Sequence, residues 1–115
     1  MPSSMVTFRE VGAVTIVELR GSLMLGESSA LLRKTIYELI GNQRHKIILN
    51  FRDVTAIDSA GVGELVAAYT AMKNSQGCLK LLNPPKKICS MLELTRLSDV
   101  LEVYTEEDSA LRSFD

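Results

Sequence analysis

The residues of this chain best suited to chemistry lie together in one short segment, Ile57-Asp58-Ser59-Ala60-Gly61-Val62-Gly63. A hydroxyl stands directly after a carboxylate, and glycines follow at Gly61 and Gly63. The pattern predicts the opening turn of a helix, because Asp and Ser side chains accept hydrogen bonds from the free backbone N–H groups there. Glycine costs about 1 kcal/mol relative to alanine inside a helix, so two in a first turn point to something that must approach that backbone closely. A hydroxyl at a helix start also lies where the macrodipole and the free N–H groups favour an anion. The plain reading is that Asp58 or Ser59 only caps the helix; the functional reading keeps the cap and lets Ser59 carry a phosphate without breaking the fold.

Other reactive side chains form no comparable set. Cys78 and Cys89 fall outside any CxxC pattern and far from His45, so they read as reduced thiols and not as a metal or redox site. Asp53, Asp58 and Glu64 make a conceivable carboxylate cluster, but no histidine, cysteine or GxxxxGK[ST] loop accompanies them. The expectation is therefore a protein that is not an enzyme and needs no cofactor or metal. Lys86 and Lys87, after Pro84-Pro85, read either as a solvated helix start or as part of a partner surface, and Met24 reads as an adaptable apolar contact near the site.

The elements that must position Ser59 follow from periodicity. Met5 to Leu19 alternates β-branched and polar residues around Gly12, which predicts a two-stranded hairpin. Leu32, Ile36, Leu39 and Ile40 recur at helical spacing, giving a helix over 28–40 with Ser28 or Ser29 as its cap and Gly41 at its end. The apolar run Lys46 to Phe51 reads as a central strand. Val62, Leu65, Val66, Tyr69 and Met72 form the stripe of a second helix over 60–75. Leu79 to Leu82 is a further strand, and Asn83-Pro84-Pro85 supplies a cap candidate with proline at the first position of a helix over 85–95. Met72, Met91 and Leu92 read as core. Leu101 to Tyr104 is the last strand, before a closing helix that carries Leu111 and Phe114.

The order β-β-α-β-α-β-α-β-α predicts one α/β domain over 1–115, a mixed, mostly parallel sheet of about five strands with about four helices, only the first strand being antiparallel. Loops 21–26, 51–63 and 83–87 should gather at the C-terminal edge of that sheet, where partners bind.

Bulk properties agree. The 115 residues are 46% apolar and 23% charged, the balance of a folded chain. The 13 basic and 14 acidic residues nearly cancel, which argues against nucleic acid as a partner. The start, Met1 to Met5, shows no leader pattern, and no stretch reaches the roughly 18 apolar residues of a membrane span, so a cytoplasmic protein without direct membrane insertion is expected. Oligomeric state is expected to be a monomer or weak dimer.

The segment Asp58-Ser59-Ala60-Gly61-Val62-Gly63, after an apolar strand and opening a helix, resembles the phosphorylation motif of bacterial anti-sigma factor antagonists in the STAS domain family, and the order of elements from Val6 to Phe114 resembles that family too. The resemblance implies that Ser59 is phosphorylated by a cognate anti-sigma factor serine kinase and dephosphorylated by a PP2C-type phosphatase. It implies that the unmodified form binds the anti-sigma factor, releasing a sigma factor for transcription, through Asp58, Ser59, Ala60, Gly61, Val62 and Gly63, with Met24 and Lys86 as further contacts. Members often carry Gly-x-Leu-Asp after the second strand; here Gly21-Ser22-Leu23 is followed by Met24. Ala60 replaces a serine or threonine found in many relatives. The same fold and motif also suit a STAS accessory subunit of an ABC-type lipid or solute transporter, or a scaffold subunit of a signalling assembly. A nucleotide-binding or nucleotide-hydrolysing domain is the alternative from a different class.

Overall fold

The β-branched runs at the start of the chain form a hairpin, β1 (Met5–Val11) and β2 (Val14–Leu23), whose two-residue turn is possible because Gly12 takes a positive φ of 61°. The computed structural model describes residues 5–115; Met1 to Ser4, read above for a leader, lie outside the described residues. The chain continues through α1 (Glu27–Gly41), β3 (Lys46–Ile57), α2 (Ser59–Asn74), β4 (Cys78–Leu82), α3 (Lys86–Leu94), a 3₁₀ turn at Leu97–Asp99, β5 (Val103–Tyr104) and α4 (Glu107–Arg112). The strands lie in chain order in one sheet, β1 antiparallel to β2 and each later pair parallel.

Each parallel crossover from β2 to β5 steps one strand in the same direction with the same hand, which places α1, α2 and α3 on one face. There Val17, Leu19, Leu49, Phe51 and Leu81 meet Leu32 and Ile36 of α1, Leu65 and Met72 of α2, and Ile88 and Leu92 of α3. The opposite face shows Val14, Ile16, Ile48 and Leu82, covered by Ala110, Leu111 and Phe114. Burial on both faces explains why β3 begins as an unbroken apolar run.

Four local expectations change. No side chain caps α1: Gly26 is its N-cap, Ser28 Oγ turns back to the Met24 backbone, and Ser29 Oγ donates to the Gly26 carbonyl at 3.1 Å. Gly41 is the last residue of α1 and not its stop; the left-handed residue that turns the chain is Gln43, φ 60°. Pro85 is the N-cap of α3, one place before the first helical position, because Asn83 is drawn into the sheet by donating its N–H to the Tyr104 carbonyl. The last strand is only Val103–Tyr104, because the Leu101 N–H is used by the Leu97 carbonyl in the 3₁₀ turn.

The change that matters most for the site is the length of β3. Its pairing with β4 ends at Asn50↔Leu82, but β3 continues alongside β2 to Ala56↔Ser22 and Ile57↔Leu23. Those further seven residues extend on the order of 20 Å at about 3.3 Å each, so β2 and β3 carry the start of α2 well past the end of β4.

Candidate functional site

At the tip of this extension the strand-to-helix junction is tied together by one carboxylate. Asp58, in extended conformation, is the N-cap of α2, and its Oδ1 accepts the Gly61 N–H at 2.9 Å. Its Oδ2 accepts the Leu25 N–H at 3.1 Å, reaching across to the loop that leaves β2. The Asp58 N–H points the same way, donating to the Leu23 carbonyl at 3.4 Å. The Gly61 and Leu25 donors, the former most strongly, hold the Asp58 carboxyl below its ordinary range, because both favour the charged form.

Ser59 is the first residue of α2 and is exposed. Its hydroxyl makes no hydrogen bond among the described residues, since Asp58 already performs the capping. Of the two readings open from sequence, the cap thus belongs to Asp58, leaving Ser59 uncommitted.

The two glycines separate. Gly61 is buried, and a Cβ there would stand 2.1 Å from the Leu23 carbonyl oxygen and 2.7 Å from Ile57 Cγ1. The close approach that glycine permits at 61 is thus made by the end of β2. Gly63 is exposed, with nothing within 4 Å of such a Cβ. Ala60 is half-buried, and Val62 packs partly against the main core.

The β2–α1 loop is equally well held. Ser28 Oγ accepts the Met24 N–H at 3.0 Å and donates to the Met24 carbonyl at 3.1 Å. Behind it, α1 and α2 are joined by Arg33, whose Nε lies 3.1 Å from both oxygens of the buried Glu64 and whose Nη2 lies 3.0 Å from Oε1. Ser59 therefore sits on a frame in which β2, β3, α1 and α2 are cross-linked near one point.

The three carboxylates considered from sequence each have separate surroundings. Glu64 faces Arg33, Asp58 faces backbone amides, and Asp53 lies exposed on β3 opposite Arg20. No group of three metal-ligating side chains occurs among the described residues. Met24 is exposed in the loop tied to Asp58. Lys86 is exposed at the start of α3, past the end of β4, and no hydrogen bond or ion pair joins it to the 58–63 segment. His45 is exposed just before β3, at the far end of that strand from Ser59. Cys78 is exposed, Cys89 is half-buried, and both are free. Met72 and Leu92 are buried and Met91 packs partly against them, as core. Sequence reasoning missed Leu25 and the Arg33–Glu64 pair, both of which depend on contacts between residues 31 or more positions apart.

The fold and the Asp58–Ser59 junction define a class. The family model of the STAS domain matches residues 5–110, and the chain belongs to that family. It is 25% identical over 85 residues to the anti-sigma-B factor antagonist of Bacillus subtilis (strain 168), covering 74% of this chain and 77% of that protein. Among solved structures it is similar to TM1081 of Thermotoga maritima, with TM-score 0.87 and 26% identity over 94% of this chain and 92% of that one. It is also similar in fold to the anti-sigma factor antagonist SpoIIAA. The unphosphorylated form gives TM-score 0.76 and 20% identity over 96% and 97% of the two chains. The phosphorylated Bacillus form gives 0.74 and 23% over 95% and 99%. Among the described residues no helix is long and apolar enough to cross a membrane.

Proposed function

We propose that this chain is a cytoplasmic anti-sigma factor antagonist that acts by binding and is switched by phosphorylation of Ser59. The unmodified form binds an anti-sigma factor that is also a serine kinase, displacing a sigma factor; phosphorylation ends that complex, and a PP2C-type phosphatase restores it. The observation that carries this reading is the exposed Ser59 hydroxyl, which makes no hydrogen bond among the described residues and stands at the mouth of α2 on a rigid frame. The chain supplies the acceptor; the kinase brings the nucleotide and the chemistry.

A phosphoserine beside Asp58 adds nearly two negative charges. A partner fitted to a neutral hydroxyl then meets repulsion and desolvation of about 3 kcal/mol, enough to weaken binding roughly a hundredfold. No change of fold is required, in keeping with the near-equal likeness of this chain to both forms of SpoIIAA.

Incubation with ATP and a kinase-type anti-sigma factor from the same genome is expected to add one phosphate, about 80 Da, to Ser59. Ser59→Ala should abolish the label while leaving the melting temperature within a degree or so, because the hydroxyl makes no hydrogen bond among the described residues. Labelling that persists in Ser59→Ala overturns the assignment.

A further inference from the structure

Leu25 is 83% exposed, although it lies in one of the best-held loops of the molecule. Its N–H is bound by Asp58 Oδ2, the preceding residue is clamped at both backbone atoms by Ser28 Oγ, and Gly26 follows with a φ of 116°. A flexible loop can let a leucine fold away from water; this one holds it out. Met24 beside it is 38% exposed.

A second apolar strip adjoins Ser59 on α2. Residues 59, 62, 63 and 66 share one helix face by their spacing, and on it Val62 is half-buried, Gly63 is open and Val66 is 43% exposed. Ser59 therefore has apolar surface on the loop side through Asp58 and on the helix side through its own stripe, with no charged side chain in either the 24–26 or the 59–63 stretch. Charged groups border the two strips without lying on them: exposed Glu27 follows Gly26, the Asp58 carboxylate is engaged by the Leu25 and Gly61 amides, and the buried Glu64 is paired with Arg33.

We propose that Leu25, supported by Met24, is the apolar anchor of the partner that reaches Ser59, and that this partner offers it an apolar pocket. The inference rests on the Ser59 switch proposed above and names the chemistry of its partner surface. Because Leu25 is already fixed by Asp58 and Met24 by Ser28, docking pays little ordering entropy, which is what makes a single exposed side chain an effective anchor. Asp58 is accordingly a positioning residue: its carboxylate presents Leu25 and Ser59 in one fixed relation.

The test measures dissociation constants of purified full-length variants for the kinase-type anti-sigma factor of the same genome, loaded with ADP so that Ser59 stays unmodified. Leu25→Asp is expected to weaken the complex roughly 30-fold or more and Leu25→Ala about tenfold. Met24→Asp, which places an acidic group on the same surface, should also weaken it. The melting temperatures of these variants should stay close to the parent. Leu94→Asp, equally exposed at 84% but at the end of α3, is expected to leave affinity unchanged. If the parent binds and is labelled but Leu25→Asp binds within about threefold of it, or Leu94→Asp weakens binding as much, the anchor is overturned while the switch stands. If the parent neither binds nor is labelled by any such kinase, switch and anchor fall together.

Discussion

Aspartate is required at position 58 by the number of donors that converge on it. Two backbone N–H groups, from Gly61 and Leu25, each need an acceptor, and the carboxylate gives each its own oxygen. An amide has one acceptor oxygen and turns a donor toward the other N–H. Asp58→Asn is therefore expected to lower the melting temperature and to weaken partner binding and Ser59 labelling together, because the cap and the loop cannot both be kept. The same geometry sets a pH dependence. The folded-state pKa of Asp58 lies below the unfolded value of about 3.9. Its contribution to stability is therefore fully present above about pH 4 and is lost as pH falls through the lower folded value. Acid unfolding followed by circular dichroism should show a shallower loss below about pH 4 in Asp58→Asn than in the parent.

On the scale of elements, the first turn of α2 carries two glycines with opposite expected behaviour. At Gly61 a methyl would run into the Leu23 carbonyl, a backbone atom that cannot swing aside, so Gly61→Ala should cost about 1–3 kcal/mol through displacement of α2 from β2. At Gly63 the methyl meets open space, and Gly63→Ala should stabilise by up to about 1 kcal/mol through the better helix propensity of alanine. Urea unfolding of the two variants checks both signs. Both glycines invite the same sequence reading, a backbone that something approaches; only the packing shows that β2 is what approaches at 61. The helices themselves were readable from their stripes, within one or two residues at most ends. The cap of α1 was not, because Ser28 and Ser29 spend their hydroxyls on the preceding loop.

At the scale of the whole molecule, the sheet depends on a short C-terminal helix for cover on its second face. α4 has only six residues and is held by cations from the sheet: Arg9 of β1 pairs with Glu107 at its start, and Lys80 of β4 reaches Ser113 just past its end. Lys80 is 4% exposed, with Nζ 2.7 Å from Ser113 Oγ and 4.5 Å from the Phe114 ring centre. Lys80→Ala should lower stability by about 1–3 kcal/mol by leaving those partners unsatisfied. Hydrogen exchange should then quicken first at the amides of 110–113, with β3 still protected. The site at the opposite end of β3 should keep its partner affinity, since no bond links Ser59 to α4.

Local pattern alone determined the strand and helix succession, the parallel sheet with its one antiparallel edge, and the opening of a helix at Asp58-Ser59, because hydrophobic period, glycine placement and capping chemistry act over a few residues. Tertiary structure decided which of two side chains caps α2, what Gly61 accommodates, that Lys86 lies beyond a strand ending seven residues short of β3, and that Leu25 is held out beside Ser59. Each of those depends on where β2, β3 and β4 end relative to one another, a long-range register set by the packing of whole strands and not by the residues at the site.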